Sequence, residues 1–394
     1  MIYAAILGFG TVGSGVAEVM HVNAGQIARS AAEEIRVKYI LDVRDFPDSP
    51  YKDLFVKDFA QIEQDPQVRV VVETIGGTGV AYDFTKRALA AGKSVVTSNK
   101  ALVAKHGYEL LSLAKSKNVN YLFEASVGGG VPIIRPLSQC LAANQIPEIC
   151  GILNGTTNYI LTQMIQKGDS FDAALKQAQE KGYAERDPSD DINGADACRK
   201  ICILASLTFG HHVYPEQVPT EGITGVTNAD VENAARAGCR VKLLGRAVQQ
   251  PDGRVAAYVA PHLVPESQLL SDVDGVFNGI LVRGNAIGDV IFYGQGAGKL
   301  PTASAVVADV IDAAKHLGAR KFIDWEEGGD RYVCDPATLS DRWYVRCGLD
   351  QARIENAVGP VEKVGEGAYI LPAMSGEALH AKLGQVEAAY RIID

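Results

Sequence analysis

Short apolar runs alternate with longer amphipathic stretches along the first third of the chain. Strands separated by helical stretches favour a parallel sheet with helical crossovers, because parallel neighbours need long connections. The pattern therefore predicts a doubly wound α/β domain over residues 1–135. The predicted strands are residues 3–7, 37–41, 69–73, 94–97 and 120–123.

The middle of the chain, residues 136–320, mixes helical and strand patterns, which is typical of an α+β domain. A long predicted helix after Pro301 carries an apolar stripe suited to packing on a sheet or on a sister subunit. We therefore predict a homodimer or a dimer-based homo-oligomer. The predicted helices are 194–209 and 303–317, the predicted strands are 254–260 and 289–293, and the stripe is Val306, Val307, Val310, Ile311 and Ala314.

The last part of the chain begins with a polar, turn-rich segment, residues 321–340, which we interpret as a linker. Residues 341–394 then form a small β-rich appendix. A segment of about 55 residues buries little core, so we expect it not to be very stable alone. The predicted strands are 342–349, 369–373 and 388–393, with one predicted helix over 376–383.

Composition and charge narrow the function classes. The chain has 394 residues, 47% hydrophobic and 22% charged, as expected for a globular protein of two or three domains. A net charge of −9 without a Lys/Arg-rich run argues against nucleic acid as a partner. We find no apolar run of about 18 residues and no leader pattern, so we expect a cytoplasmic protein that does not span a membrane.

Seven cysteines are scattered along the chain without a CxxC pair. We interpret them as reduced and mostly buried, because an odd, unpatterned set does not predict a disulfide framework. Cys198 and Cys202 lie four residues apart on a predicted helix, as a metal-ligand pair would. A second Cys/His pair with ligand spacing is missing from the sequence, so the buried-thiol interpretation is favoured.

A glycine-rich segment, AAILGFGTVGSGV, places Gly8, Gly10 and Gly13 in GxGxxG spacing after a strand and at the start of a helix. Gly8 permits a tight turn, Gly10 lets a pyrophosphate approach the backbone, and Gly13 lets the helix pack closely on the strand. The helix N-terminus, which begins around Thr11 and Val12, offers unpaired N–H groups to the anion. This context predicts a dinucleotide-binding Rossmann domain.

The end of the second strand normally reads the ribose of the dinucleotide. Asp42 could accept a hydrogen bond from a ribose 2′-OH and favour NAD, whereas Arg44 could pair with a 2′-phosphate and favour NADP. Asp42 lies 29 residues after Gly13, because residues 21–34 look like an insertion. The sequence leaves both cofactors open.

Two further segments, ETIGG (73–77) and TSNK (97–100), follow predicted strands. Open α/β sheets bind ligands at the carboxyl ends of their strands, so Thr97 and Lys100 are candidates for cofactor or substrate contacts. Ordinary loop chemistry explains such residues equally well.

An acidic segment, GYAERDPSDDINGADACRK, concentrates five carboxylates before a pair of cations. Such a loop is normally a solvated turn. On a helix that begins near Gly194, however, Asp196 and Lys200 fall on the same arc as the apolar residues that follow. Because inward charges are costly unless they are compensated, an inward Asp/Lys pair indicates chemistry.

With these segments in place, the chain resembles the homoserine dehydrogenases. The resemblance rests on motifs in the family's order from residue 1 to about 320, of which the acidic segment with its trailing lysine is the most specific. The motifs are GFGTVGSGV, ETIGG, VTSNKALVA, FEASVGGGVPII, GILNGTTNYIL, GYAERDPSDDINGADACRK and GQGAGKLPTASAVV.

The resemblance implies a fold, a reaction and a set of site residues. It implies reversible, NAD(P)H-dependent reduction of L-aspartate 4-semialdehyde to L-homoserine, a step in threonine, methionine and isoleucine biosynthesis. Lys200 would donate the proton to the aldehyde oxygen, assisted by Lys100. The implied substrate residues are Glu185, Asp191, Asp196, Gly155, Thr156 and Thr157, and the implied further cofactor contacts are Gly182 and Gly298.

The segment FEASVGGGV resembles the family's monovalent cation site, which commonly binds sodium. The resemblance assigns the cation to the backbone carbonyls of Glu124, Val127, Gly129 and Val131. A cage of carbonyl oxygens suits a hard cation, which we expect to order the loop rather than to take part in the reaction.

Two segments depart from the family pattern. Residues 341–394 resemble a shortened ACT domain, because QARIENAVGPVEKVGEG looks too short for a helix plus a strand. We therefore expect a structural or dimer-supporting appendix rather than feedback regulation by threonine. After the VRD of the second strand, Phe46, Pro47 and Asp48 stand where a basic residue is common, which weakens the case for NADP.

Two rival functions stay open at this point. Another amino-acid dehydrogenase on the same scaffold would keep the glycine motif but would lack the constellation from Glu185 to Lys200. A non-catalytic dinucleotide-sensing regulator would need no inward Lys200.

Overall fold

The structure is a computed structural model that describes residues 1–320 and 323–393. Residues 321 and 322 of the predicted linker and residue 394 of the predicted appendix lie outside the described residues. The helices are α1 (Thr11–Val22), α2 (Ala24–Ala31), α3 (Ala60–Glu63), α4 (Val80–Ala90), α5 (Lys100–Lys117), α6 (Gly155–Lys167), α7 (Phe171–Glu180), α8 (Ser189–Ile192), α9 (Ala195–Phe209), α10 (Asn228–Arg236), α11 (Lys299–Lys315), α12 (Gln351–Val358) and α13 (Gly376–Leu383).

The strands follow the predicted positions closely in the first third of the chain. They are β1 (Ile2–Leu7), β2 (Ile35–Leu41), β3 (Phe55–Val56), β4 (Val68–Glu73), β5 (Ser94–Thr97), β6 (Tyr121–Leu122), β7 (Glu148–Ile152), β8 (Cys239–Gln249), β9 (Val255–Pro265), β10 (Phe277–Gly284), β11 (Gly288–Gln295), β12 (Val333–Cys334), β13 (Ser340–Arg346), β14 (Glu362–Gly365), β15 (Ala368–Ser375) and β16 (Ala388–Ile392).

The chain forms two compact units, each assembled from separate stretches. The predicted segment boundaries at 135, 320 and 340 stay a prediction. Unit 1 contains residues 1–143, 206–214 and 295–327, and unit 2 contains residues 144–205, 215–294 and 328–394.

Unit 1 is built on a parallel six-stranded sheet in the order β3-β2-β1-β4-β5-β6. This order reverses direction between β1 and β4, where doubly wound sheets open a crevice for ligands. The central strands are nearly all apolar because helices cover both faces. The predicted fold class is confirmed for this unit, and the inserted residues before β2 contain the additional helix α2.

Helix α11 differs from its prediction at its N-terminus. It begins at Lys299 rather than after Pro301, because a proline in the first helical turn removes no intrahelical hydrogen bond. Its apolar residues, such as Val306 and Val310, are buried within unit 1, where the helix packs against α1, β4 and β5. The sheet alternative is therefore confirmed, and this stripe gives no support to a dimer.

Unit 2 is built on a mixed sheet in the order β11-β10-β7-β8-β9-β16-β13-β15-β14, with the short strand β12 beside β9. Strands β7, β8, β9 and β10 pair antiparallel, and the same unit contains α6, α10 and residues 195–205 of α9. An apolar cluster that includes Cys150, Leu244 and Leu281 fills this part of the core.

The C-terminal segment is more complete than the sequence suggested. Residues 351–358 form α12 and residues 362–365 form β14, so the expectation that this stretch is too short for a helix plus a strand was wrong. The resulting β13-α12-β14-β15-α13-β16 segment has the strand order β16-β13-β15-β14, all antiparallel, as in ferredoxin-like domains. The helix and strand that were expected to be missing are therefore present, and their absence no longer counts against effector binding.

Two compositional predictions concern the chain as a whole. All seven cysteines are free thiols, and six of them are buried, with Cys140 exposed. Within residues 1–320 and 323–393, no helix is long and apolar enough to cross a membrane.

Candidate active site

The turn between β1 and α1 has the geometry that its glycines predicted. Gly8 has φ of +90°, and a Cβ on Gly13 would lie 1.9 Å from the carbonyl oxygen of Gly8. A Cβ on Gly10 would meet no described atom within 4 Å, so the backbone faces open space there. No described side chain caps α1, which leaves the N–H groups of its first turn, at Thr11 and Val12, to an anion. The turn fits a pyrophosphate.

Asp42 lies at the end of β2 and ties this strand to the glycine turn. Its Oδ2 accepts hydrogen bonds from the backbone N–H of Phe9 at 2.7 Å and from Nη2 of Arg44 at 2.9 Å. Its Oδ1 accepts from the backbone N–H and Nε of Arg44 at 2.9 and 3.0 Å. The Arg44 side chain above all holds the pKa of Asp42 well below its ordinary value, although burial acts in the opposite direction.

The Arg44 guanidinium is fixed by Asp42 and still accessible to solvent. Its side chain is 59% exposed and lies over the ring of Phe46 at 5.1 Å. Lys57, which the sequence analysis missed, supports this loop: its Nζ donates to the backbone carbonyls of residues 42, 43 and 44 and pairs with Asp45 at 2.8 Å. Because Lys57 follows β3 and lies 13 residues after Arg44, spacing within one loop could not reveal it.

The ends of β4 and β5 are joined by a buried carboxylate. Glu73 accepts a hydrogen bond from the Thr97 hydroxyl at 2.6 Å and from the backbone N–H groups of Ile75 and Gly76 at 2.7 and 3.1 Å. Thr97 is fully buried, so its hydroxyl organises the strand ends. Lys100 is the first residue of α5 and is half-buried.

The candidate cation loop follows β6 in unit 1. The Glu124 side chain accepts three backbone N–H groups, from Ile133 at 2.6 Å, Ile134 at 2.8 Å and Arg135 at 2.9 Å, which folds the loop back on itself. The backbone N–H of Glu124 donates to Asp309 at 2.8 Å, and Asp309 also pairs with Arg135. Burial raises the pKa of Asp309 to about 7, although Arg135 opposes the rise.

The carbonyl groups in this loop fit a backbone cation site. No described N–H or O–H group donates to the carbonyl oxygens of Val127, Gly129 or Val131. Gly129 has φ of +57°, and a Cβ there would lie 2.3 Å from the carbonyl oxygen of Gly296. Gly298, at the start of α11, has φ of +124°. The described residues contain no cluster of three His, Cys, Asp or Glu side chains for a metal, so a cation here would depend on backbone oxygens.

The ion pair predicted from the acidic segment is buried in unit 2. Helix α9 begins directly after Gly194, which has φ of +84°. Asp196 and Lys200, one turn apart, are only 5% and 8% exposed, and Lys200 Nζ lies 2.8 Å from Oδ2 of Asp196. Lys200 Nζ also donates to the backbone carbonyl of Leu153 at 2.7 Å. The prediction that both charges face inward is confirmed.

Asn154 was missed in the sequence and lies between two carboxylates. Its Nδ2 donates to Oδ1 of Asp191 at 2.7 Å and to Oδ2 of Asp196 at 2.8 Å. Burial raises the pKa of Asp191, and the charge of Asp196 adds to the rise. The position of Asn154 before a helical run was a sequence signal for a helix cap, but the contact with the carboxylates was not visible.

The other carboxylates of the acidic segment face solvent. Asp190 is exposed and pairs with Arg199, and Asp187 accepts from the backbone N–H of Ser189 at 3.1 Å. Glu185 is exposed, and its backbone carbonyl accepts from Gln179 at 3.1 Å. The segment thus separates into an inward group, Asp191, Asp196 and Lys200, and an outward group.

The start of α6 lies beside this inward group. A Cβ on Gly155 would lie 2.6 Å from the carbonyl oxygen of Val276, so the close approach requires glycine. The Thr156 hydroxyl donates to the backbone carbonyl of Tyr183 at 2.7 Å, which joins α6 to the turn after α7. Gly182, in that turn, is exposed with φ of +73°.

Comparisons with known proteins agree on one family. A sequence model described as "Homoserine dehydrogenase" matches residues 132–311, and one described as "Homoserine dehydrogenase, NAD binding domain" matches residues 8–124. The homoserine dehydrogenase of Neisseria gonorrhoeae is 45% identical over 317 residues, which covers 80% of this chain and 72% of that protein. The chain belongs to the homoserine dehydrogenase family.

Other members and solved structures give the same result. The homoserine dehydrogenase of Pseudomonas aeruginosa is 41% identical over 85% of this chain and 76% of its own length. The crystal structure of a homoserine dehydrogenase from Thiobacillus denitrificans superposes with a TM-score of 0.91 at 34% identity, covering 100% of this chain and 98% of that chain. A hyperthermophilic archaeal homoserine dehydrogenase in complex with NADPH superposes with a TM-score of 0.68 at 31% identity, covering 79% and 97%.

Membership decides between the functions left open by the sequence. The chain is an oxidoreductase that interconverts L-homoserine and L-aspartate 4-semialdehyde with a nicotinamide dinucleotide. The two rival functions, another amino-acid dehydrogenase and a non-catalytic sensor, are not supported.

Proposed function

We propose that Lys200 is the proton donor and acceptor of the homoserine dehydrogenase reaction. The observation that carries this proposal is the burial of its ammonium against Asp196 and the carbonyl of Leu153. A bound reduced dinucleotide would supply the hydride to the carbon bearing the oxygen, and a bound oxidised dinucleotide would accept it when homoserine is oxidised. A nearby ammonium stabilises the negative charge that grows on this oxygen and gives it a proton.

The remaining predicted residues take supporting roles in this proposal. Asp191, Asp196 and Thr156 form the inward polar wall of unit 2, and Gly155 keeps that wall close to the backbone at Val276. The exposed carboxylate of Glu185 suits the substrate α-amino group. Lys100 assists from the first turn of α5, at the carboxyl edge of the parallel sheet.

Replacement of Lys200 by alanine tests the proton-transfer role. We expect turnover with homoserine to fall by at least ~10²-fold, because general acid–base catalysis contributes about that much. The dissociation constant of NADP, measured by fluorescence titration, should stay within about twofold. Wild-type turnover in Lys200→Ala, with intact cofactor binding, would refute the role.

We propose that NADP is the preferred cofactor. Both oxygens of Asp42 already accept hydrogen bonds from Phe9 and Arg44, so the carboxylate is less available to a ribose 2′-OH. The Arg44 guanidinium is exposed, and Lys57 lies beside the same loop. An exposed guanidinium with a second cation nearby suits a 2′-phosphate. Initial rates with saturating homoserine and each dinucleotide, compared as kcat/KM, test this preference.

We propose that the loop after β6 binds a monovalent cation, with sodium as the candidate. The support is the set of carbonyl oxygens at Val127, Gly129 and Val131, which accept no hydrogen bond from a described group. Dialysis into a buffer of a bulky organic cation, followed by sodium or potassium titration, should raise the melting temperature in a saturable way. Equal melting temperatures with and without sodium would count against the site.

We propose a homodimer that forms through the β11 edge of the unit 2 sheet. Strand β11 is a terminal strand of eight residues, and Tyr293 on it is 55% exposed. A long edge strand with exposed apolar residues favours pairing with another copy. Light scattering should give twice the chain mass for the wild type and a lower mass for Tyr293→Lys. Val22→Lys, at a 73% exposed position on α1, is the control for added charge.

A further inference from the structure

The Asn154 side chain joins three elements of unit 2. It lies between the end of β7 and the start of α6 and is 6% exposed. Its Nδ2 donates to Asp191 on α8 and to Asp196 on α9, at 2.7 and 2.8 Å. The Oδ2 of Asp196 that accepts from Asn154 is the same oxygen that accepts from Lys200 at 2.8 Å. The amide and the ammonium therefore share one acceptor.

The helix cap fixes which way this amide points. The Oδ1 of Asn154 accepts from the backbone N–H of Thr157 at 2.8 Å and from its hydroxyl at 3.0 Å. An oxygen must face this N–H, so the NH₂ group has to face the carboxylates. The orientation is thus set by the backbone and does not depend on the substrate.

Capping alone does not explain an asparagine at this position. Serine and aspartate cap helices about as well as asparagine does, and Ser170 and Thr227 cap α7 and α10 in the same unit. Neither serine nor an ionised aspartate could hold the N–H of Thr157 and also donate to two carboxylates. The NH₂ group of Asn154, which donates to both carboxylates, therefore indicates a role beyond helix capping.

We propose that Asn154 is a positioning residue that weakens the attraction of Asp196 for the Lys200 ammonium. It also keeps Asp191 and Asp196 ionised side by side. This inference rests on the proposed proton-transfer role of Lys200. A hydrogen bond to the shared oxygen withdraws electron density from it, so the oxygen attracts the ammonium less strongly. Lys200 then loses its proton more easily when homoserine is oxidised.

The groups around the pair agree with this role. Asp191 faces it from α8, and Asp196 lies on α9 with Lys200. Leu153, the residue directly after β7, contributes its backbone carbonyl. Burial and the charge of Asp196 raise the pKa of Asp191, whereas the hydrogen bond from Asn154 lowers it. Without the amide, two carboxylates would compete for one ammonium.

Two substitutions separate positioning from capping. Asn154→Ser and Asn154→Asp both keep an N-cap acceptor for α6, so the melting temperature of Asn154→Ser should change little. Asn154→Asp should lower the melting temperature, because it adds a carboxylate beside Asp191 and Asp196. We expect the acid limb of the kcat profile for homoserine oxidation to move to higher pH, by about one unit in Asn154→Ser. The shift should be larger in Asn154→Asp, which adds a negative charge.

A cap without catalytic neighbours provides the control. Ser170→Ala removes the cap of α7 and should lower the melting temperature without moving the pH profile. If both Asn154 variants titrate as the wild type does, Asn154 is only a helix cap and the inference is overturned. Full turnover in Lys200→Ala would instead overturn the proton-transfer role, whatever the Asn154 variants do.

Discussion

Two aspartate–cation pairs in this chain have nearly the same length and very different surroundings. Lys200 lies 2.8 Å from Asp196, with both side chains buried. Arg44 lies 2.9 Å from Asp42, with the aspartate buried and the guanidinium side chain 59% exposed. Both charges of the first pair are shielded from solvent, whereas the guanidinium of the second pair is accessible to solvent and to ligands.

The difference shows how burial decides what a pair of charges can do. A buried ammonium has few alternatives to its partners, so small changes at Asp196 alter when it holds a proton. An exposed guanidinium stays charged in water and can offer its outer N–H groups to a ligand. We therefore assign proton transfer to the first pair and anion recognition to the second.

Among the substitutions in the two pairs that keep Lys200, Asp196→Asn should have the largest effect, because it removes the charge that stabilises the Lys200 ammonium. We expect kcat/KM for homoserine to fall about tenfold or more, since Asp196 is also a proposed substrate contact. The acid limb of the oxidation profile should move to lower pH by about one to two units. A shift to higher pH, the direction expected for Asn154→Ser, would contradict this assignment of the pair.

Arg44→Ser tests the open pair. We expect kcat/KM with NADP to fall about tenfold, since a charge-assisted hydrogen bond to a phosphate is lost, and kcat/KM with NAD to change by less than about twofold. Arg36→Ser is the matched control, because Arg36 is 58% exposed and paired with Glu34 in the same unit. Equal losses of kcat/KM with NADP and NAD would show that Arg44 does not contact the 2′-phosphate.

Asp191→Asn should have the smallest effect of the three substitutions, and it should stabilise the fold rather than destabilise it. Because burial raises its pKa, folded Asp191 binds a proton more tightly than the unfolded chain does. This contribution is lost as the pH rises through the folded pKa, so at neutral pH the ionised carboxylate opposes folding. A neutral isostere should raise the melting temperature by about 2 °C while activity falls.

The control for this prediction is Asp190→Asn, one residue earlier. Asp190 is exposed and pairs with Arg199, and such surface pairs contribute little. We expect its melting temperature to stay within about 1 °C of the wild type. An equal rise in both variants would point to the net charge of the segment rather than to the burial of Asp191.

Much of this arrangement was predictable because the spacing of residues along the sequence matches the faces that the folded elements bury. The glycine turn follows β1, and Asp196 and Lys200 share the buried face of α9, so spacing alone predicts both. The start of α11 was misplaced by the rule that a proline opens a helix, although Pro301 lies inside its first turn.

Contacts between distant segments could not be predicted in the same way. Helix α12 has only eight residues, too few to be stable alone, and it forms because Ile354 and Val358 join an apolar cluster with Trp343 and Tyr369. Asn154 contacts two aspartates that follow it by 37 and 42 residues, and Lys57 reaches carbonyls that precede it by 13 to 15. No periodic pattern encodes such pairs.

The continuity of the unit 2 sheet limits how the chain can be shortened. Strand β16 pairs with β9 through Arg391 opposite His262 and Ile392 opposite Leu263, so the final residues extend the sheet that also contains β7. In a protein ending before residue 340, β9 would lack this neighbour and would expose unpaired backbone N–H and C=O groups along one edge. Residues 341–394 are thus part of the unit 2 sheet, and we expect a chain shortened before residue 340 to precipitate rather than to remain a smaller active enzyme.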